Sequence, residues 1–317
     1  MSHWTTNDIP DLQGSTVLVT GANSGLGLAT TRALAAKGAH VIMACRNLDR
    51  ARAAQASITA SVPRASLELV HLDLASLASV RDCAAGVLNT HDQLTLLFNN
   101  AGVMAIPRRE TEDGFEMQFG SNHLGHFALT GLALPLLLAT PGSRVVTTTS
   151  LARSGKVLFD DLHGARSYSR WGAYGQSKTA NLLFAFELQR RLAATGAPTI
   201  SVAAHPGYAN TSLQSASAAS SGSLIERVAF TVFGPLVGQS PAMGALPQLY
   251  GGTAPDVRGG MLIGPGGFFG LRGYPKPEPH SQREDDRPTA ARLWDVSVAL
   301  TGVDYAPLHL SRPLESR

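Results

Sequence analysis

The sequence predicts an α/β fold: one domain built on a doubly wound parallel sheet with helices on both faces. Three observations predict it. Short β-branched runs alternate with longer helical patterns from residue 16 onward, several of those runs are apolar at consecutive positions, and the 317 residues contain neither an internal repeat nor a second domain.

Strands are expected over 16–20, 40–44, 67–72, 95–98, 144–149 and 199–203. Val17-Leu18-Val19, Val41-Ile42-Met43 and Leu96-Leu97-Phe98 are apolar without alternation, as strands covered on both sides must be. Helices are expected over 26–37, 49–61, 77–90, 114–139 and 173–194; in the last, Phe184, Leu188 and Leu192 recur at i, i+4, i+8 and form one packed stripe. Residues 14–211 thus make the core. The Ser/Ala-rich stretch 212–223 and the apolar stretch 224–236, broken by Gly234 and Pro235, read as a substrate lid extending to residue 250. Residues 251–317 supply a strand at 260–263, a Gly-rich turn through Gly273 and a final helix over 289–300.

With 44% hydrophobic and 15% charged residues the chain can bury a large core. Its net charge of +3 is spread without any run of five or six like charges, so no nucleic-acid partner and no polybasic membrane patch is indicated. Cys45 and Cys83 are the only cysteines, without CxxC or zinc-type Cys/His spacing; no disulfide framework and no metal site is expected. The first fourteen residues lack a basic start and an apolar core, which argues against export. The longest apolar stretch, 124–139, is interrupted by His126, Thr130 and Pro135 and reads as a buried helix, so a cytoplasmic protein with no integral membrane segment is expected. The apolar residues Leu132–Leu138 leave a homo-oligomer open.

The first strand runs into Thr20-Gly21-Ala22-Asn23-Ser24-Gly25-Leu26-Gly27 and then a helix. Glycines there allow a tight turn and close approach of backbone to phosphate, and the helix dipole favours negative charge, so this Rossmann-like start would hold a dinucleotide pyrophosphate. The spacing is GxxxGxG rather than GxGxxG, and a packing turn is the plain alternative. After the second strand stands Arg46, where a free ribose 2′-hydroxyl would meet an acid; its fork suits a 2′-phosphate. NADP(H) is therefore expected, with NAD(H) the alternative. Asp73 and Leu74 close the third strand and Asn99, Asn100, Ala101 and Gly102 the fourth, all at the carboxyl edge where open parallel sheets bind ligands. Asp73 could accept from the adenine amino group, and the small Ala101 and Gly102 would let a ring lie against backbone.

Tyr174 and Lys178, at i and i+4, place a phenol and an ammonium one turn apart on one helix face. A neighbouring cation and the positive nicotinamide ring stabilise phenolate and let Tyr174 exchange a proton. Ser150, ending the fifth strand, would hydrogen-bond the substrate oxygen. Alone, a Tyr/Lys pair of this spacing is ordinary surface helix. His123, His126 and His205 read as structural, and Cys45 as a small buried hydrophobe.

In order, Thr20–Gly27, Asn99–Gly102, Asn122-His-Leu-Gly-His-Phe127, Ser150, Tyr174–Lys178 and His205-Pro-Gly207 resemble the short-chain dehydrogenase/reductase family, and within it the retinol-dehydrogenase-like branch. The resemblance implies a catalytic tetrad of Asn122, Ser150, Tyr174 and Lys178, with Lys178 also gripping the nicotinamide ribose and Asn122 a proton-relay water. It further implies that Pro206, Gly207 and Thr211 flank the nicotinamide. Twenty-four residues separate Ser150 from Tyr174, a long interval that this branch shares, and residues 153–170 should wall the substrate pocket. Animal members often carry an N-terminal membrane anchor that this sequence lacks, so a soluble relative is expected. Light-dependent protochlorophyllide reductases are similar too, but they place a cysteine after the Pro-Gly where Tyr208 stands here.

The expected activity is hydride transfer between NADP(H) and an apolar alcohol or carbonyl compound, retinoid-, steroid- or lipid-like, with Phe230, Val232, Phe233 and Leu236 of the lid covering the ligand. A non-catalytic NADP(H)-binding regulator is the alternative from another class; it would not need all four tetrad positions.

Overall fold

In the computed structural model, which describes residues 3–153, 156–209, 238–279, 281 and 285–309, eight strands make one sheet. They are β1 (Thr16–Thr20), β2 (His40–Cys45), β3 (Ser66–His71), β4 (Leu96–Asn99), β5 (Arg144–Thr148), β6 (Ile200–Ala204), β7 (Leu262–Pro265) and β8 (Pro275–Glu278). Their spatial order is β3-β2-β1-β4-β5-β6-β7-β8; all are parallel except β8, which runs antiparallel to β7. The winding direction reverses between β1 and β4, and a crevice opens there beyond the carboxyl ends of the strands.

Seven helices of the described residues cover the sheet: α1 (Gly25–Ala36), α2 (Leu48–Ser61), α3 (Leu77–Thr90), α4 (Met117–Ala139), α5 (Arg170–Ala194), α6 (Pro241–Thr253) and α7 (Arg287–Thr301). Their starts are written locally. Asn47, Ser76, Ser169 and Asp286 each accept a first-turn amide with their side chains, and Gly302, at φ +62°, ends α7. Alternate strand residues feed two cores. Val17, Val19, Val41, Met43, Leu96 and Phe98 face α1, α2 and α6, whereas Leu18, Ile42, Leu97 and Val145 face α3, α4, α5 and α7.

Two features depart from the sequence reading. β8 is an additional strand; Pro275-Lys276-Pro277-Glu278 resembles a turn, yet an edge strand tolerates proline because one row of its amides needs no partner. Residues 241–250, assigned to the lid, begin the core helix α6 instead. Its glycines are what the packing needs: a Cβ on Gly252 would lie 2.5 Å from Phe98 Cζ, and one on Gly244 2.7 Å from Ala209 Cβ. The stretch Leu132–Leu138 contributes Leu134, Leu136 and Leu137 to the chain's own core. The remainder of the lid, with Phe230, Val232, Phe233 and Leu236, lies outside the described residues, as does Thr211.

α4 is long and apolar enough to span a bilayer, but 78% of its most apolar window is buried within the fold and it contains Asn122, His123 and His126. It is a core helix. After a first α-turn at Met117–Phe119 it runs through a π-turn over Gly120–Leu124, a widened turn frequent at functional sites. α7 is fastened by Trp294, whose indole packs against Phe127, Phe184 and Tyr305, with the Arg191 guanidinium 4.3 Å from its ring centroid. Trp294→Ala should lower unfolding free energy by about 3–5 kcal/mol, read as a shift in the urea midpoint.

Candidate active site

Glycine geometry shapes the turn after β1. Gly21 sits at φ +67°, and a Cβ on Gly27 would lie 2.2 Å from the Gly21 carbonyl oxygen, so neither position accepts a side chain. Ser24, the N-cap of α1, makes no side-chain cap, unlike the caps of α2, α3 and α5, and the first-turn amides of α1 stay available to an anion.

Beyond this turn lies a cavity of about 420 Å³. Gly21, Asn23, Ser24, Gly25, Leu26 and Gly27 line it together with Arg46, Asp73, Leu74, Asn100, Ala101 and Gly102, so every expected cofactor residue of the first four strands reaches one space. Asn47 and Arg50 line it too. The sequence reading missed them because Asn47 caps α2 and Arg50 lies in its first turn, neither at a strand end. Arg46 is mostly exposed, with Nε 4.0 Å from Asp73 Oδ2; Asp73 Oδ1 accepts from the Ala75 amide at 2.9 Å. At the opposite end the lining is apolar, with Met104, Ile106 and Met117.

A buried polar seam holds this edge in place. The Thr20 hydroxyl accepts the amides of Asn100 and Ala101, both at 2.9 Å, and its proton is shared between Nε2 of His126 at 2.9 Å and the Phe98 carbonyl at 3.2 Å. His126 Nδ1 lies 3.0 Å from the carbonyl of Asn122, so the ring proton belongs on Nδ1. Asn100 Nδ2 donates to the Thr20 carbonyl at 2.8 Å, and Gln248 of α6 donates to Asn100 Oδ1 at 3.2 Å while accepting from Thr148 at 2.9 Å. Gln248 carried no sequence signal, since its helix had been read as lid.

Ser150, Tyr174 and Lys178 meet where β5 ends against α5. The Ser150 hydroxyl hydrogen-bonds the Tyr174 phenol. Lys178 Nζ is 5.9 Å from the Tyr174 ring centroid and donates to the Thr148 carbonyl at 3.2 Å. Tyr174 and Lys178 are buried, and Ser150 is half-buried. Burial raises the Tyr174 phenol, partly opposed by Ser150, and lowers the Lys178 ammonium to about 8. A Cβ on Gly102 would lie 2.9 Å from Asn122 Oδ1 and 3.5 Å from Lys178 Nζ, so Gly102 joins the cavity to the Tyr/Lys face.

Asn122, in the π-turn, is clamped by its side chain: Oδ1 accepts the Val103 amide at 2.7 Å, and Nδ2 donates to the Val103 carbonyl and to Ser177 Oγ, each at 2.9 Å. Ser177 was not singled out from sequence, being a small polar residue inside a helix. Pro206 and Gly207 follow β6 at the same edge; Gly207, at φ +63°, passes so close to Leu271 that a Cβ would lie 2.4 Å from its carbonyl oxygen. Residues 156–169 fold back on the loop after β4, with Tyr168 donating to the Ile106 carbonyl at 2.9 Å and Arg108 donating to the His163 carbonyl at 3.2 Å.

The fold and this edge together define an oxidoreductase of the dinucleotide-binding α/β type. The family model described as short chain dehydrogenase matches residues 15–221. The chain is 41% identical to retinol dehydrogenase 13 of Homo sapiens over 308 residues, covering 96% of this chain and 89% of that protein. It is 42% identical to polyprenol dehydrogenase of Mus musculus over 299 residues, covering 93% and 86%. The crystal structure of an uncharacterized protein from Mycobacterium Paratuberculosis superposes with a TM-score of 0.78 at 40% identity, covering 96% of this chain and 99% of that one. The chain belongs to the short-chain dehydrogenase family, in its retinol-dehydrogenase-like branch, and is an oxidoreductase acting on alcohols.

His123, donating or accepting through Nε2 with Ser297 at 2.9 Å, and His126 are fully enclosed, and burial lowers them to about 3 and about 4 from an ordinary 6.5. Below 6.5 the unfolded chain takes up protons that the folded chain refuses until about 4 and 3, so this stability is complete above 6.5 and is lost as pH falls toward those values. Each histidine should cost on the order of 1 kcal/mol per pH unit in that window. The urea midpoint is expected to be lower at pH 5 than at pH 7, with a shallower slope in His123→Gln.

Proposed function

We infer that the chain interconverts an apolar alcohol and its carbonyl with NADP(H), using Tyr174 as the proton-transfer group. One observation carries the reading: a buried phenol, hydrogen-bonded to Ser150 and flanked by Lys178, stands beside a glycine-lined cavity that ends in Arg46. The residues present fit the dinucleotide. The uncapped start of α1 and the side-chain-free turn at Gly21 and Gly27 suit a pyrophosphate, and Arg46 with Arg50 suits a 2′-phosphate. Bound NADP(H) supplies the hydride acceptor for oxidation and the hydride donor for reduction.

In the proposed chemistry Ser150 holds the substrate oxygen and Tyr174 handles its proton. On oxidation the alcohol O–H proton passes to the phenolate oxygen while the carbinol carbon gives up hydride; on reduction the phenol returns the proton to the forming alkoxide. Burial keeps the phenol protonated at neutral pH, the form that donates a proton in carbonyl reduction. Lys178 stabilises the phenolate whenever it forms. Asn122 fixes the loop at Val103, through two hydrogen bonds, beside the same groups.

The apolar substrate class draws on Met104, Ile106 and Met117 in the cavity wall, on the exposed Leu151 and Trp171 beside Ser150 and Tyr174, and on relatives named for retinol and polyprenol. Tyr174→Phe should retain NADPH binding and lose roughly 10²–10⁴-fold in turnover, measured by single-turnover NADPH oxidation with an apolar aldehyde; unchanged turnover would reject Tyr174. Catalytic efficiency should favour NADPH over NADH. Arg46→Ala should raise KM for NADPH about tenfold or more and leave that for NADH nearly unchanged; equal efficiencies in the unaltered enzyme would reject the 2′-phosphate assignment.

A further inference from the structure

At the amino ends of β2 and β3, on the side of the sheet opposite the carboxyl edge that forms the cavity, three side chains converge that the proposed reaction does not use. Glu68 Oε2 lies 3.2 Å from His40 Nε2 and 3.0 Å from His91 Nε2. All three donor atoms fall within 4.8 Å of one another, and each residue is half-buried. The local structure explains the meeting. His40 pairs with Ser66 across the parallel ladder and Ile42 with Glu68, so His40 and Glu68 are diagonal neighbours on one face of the edge pair, and His91 is the C-cap of α3, delivered from above.

The geometry points to a divalent transition-metal site, and we propose that His40, Glu68 and His91 bind one ion of the zinc, cobalt or nickel class. Two imidazoles and one carboxylate are the donor set such ions favour, whereas calcium or magnesium would want oxygens alone. Ligands about 2.0–2.1 Å from a tetrahedral centre stand roughly 3.3 Å apart, close to the spacings already present, so binding needs little movement. Metal ligation requires the Nε2 lone pair and therefore a proton on Nδ1. For His40 that tautomer has a waiting acceptor, Ser66 Oγ, 2.7 Å from Nδ1. The half-exposed setting leaves a coordination position for water.

Such an ion ties the edge strand β3 to β2 and to the end of α3, and would act on stability rather than on hydride transfer. His40 and Arg46 lie at opposite ends of one strand, about 20 Å apart at 3.3 Å per residue. The ligand spacing of 40, 68 and 91 is far wider than the local patterns that mark zinc in a sequence, which is why the expectation of no metal site arose.

The test is titration of chelator-treated full-length protein with Co²⁺, followed by its visible d–d absorption, and with Zn²⁺, followed by thermal unfolding. The expected result is Co²⁺ absorption saturating at one equivalent, displacement by Zn²⁺, and an unfolding midpoint that rises with Zn²⁺ concentration. His40→Gln/His91→Gln should abolish saturable binding while keeping NADPH binding and turnover. Ser66→Ala, which leaves every ligand in place, should weaken it about tenfold. Absent Co²⁺ bands in the unaltered protein, or bands that persist in the double variant, would overturn the proposal.

Discussion

The hydroxyl of Thr20 is the contact on which the working edge of this protein depends. A threonine hydroxyl has one proton and two lone pairs. Here both lone pairs are taken by the Asn100 and Ala101 amides and the proton is shared between His126 and the Phe98 carbonyl. Burying that many polar groups is tolerable only because each is partnered; an orphaned one would cost about 1–3 kcal/mol. The seam fixes the loop after β4 against the glycine turn after β1. That in turn places Gly102 beside Lys178 and Asn122, and brings two sites that lie far apart in the chain into one crevice. β1 and β4 are adjacent only because the winding reverses between them, so the seam also marks the place where the topology opens room for a ligand.

From that crevice the environment grades from charged to apolar. Arg46 and Arg50 stand at one end, backbone and glycine in the middle, and Met104, Ile106 and Met117 at the other. A molecule with phosphates at one end and a planar ring at the other meets matching surfaces along its length. The histidines and cysteines of the core add no competing chemistry. His126 and His123 are held neutral, and the thiols of Cys45 and Cys83 are pushed up to about 11 and about 12 by burial, so neither is a nucleophile near neutral pH.

What could be read from the sequence divides along physical lines. The central strands were legible because consecutive apolar residues leave few alternatives, and the glycine turn and the Tyr174/Lys178 pair because their chemistry is tied to local spacing. Elements whose sequence conflicts with their structure were not. Gly244, Pro247, Gly251 and Gly252 disguise α6, although the glycines are required by its close approach to Phe98 and Ala209. Pro275 and Pro277 disguise β8, which its edge position permits. Partners joined only by tertiary packing left no local trace: Ser177 under Asn122, Gln248 under Asn100, and the meeting of His40, Glu68 and His91.

One refinement concerns Tyr174 and Lys178, the groups of the proposed proton transfer. From sequence, the ammonium at i+4 and the positive nicotinamide ring together were expected to stabilise phenolate. In the fold both groups are buried, and burial opposes both charges: it raises Tyr174 and lowers Lys178. A single charge in such surroundings is costly, whereas two opposite charges formed together offset much of each other's cost. In the proposed reaction the phenolate needed for alcohol oxidation is therefore favoured while Lys178 stays protonated. The Thr148 carbonyl, 3.2 Å from Nζ, favours the protonated amine and thereby assists that state. Ser150 adds the remaining share, since a hydroxyl donating to the phenol oxygen stabilises its anion most. In the proposed reaction the strand end and the helix face thus act as one unit: β5 supplies the dipoles that make the charges on α5 tolerable, and the Thr20 seam keeps that unit against the cradle.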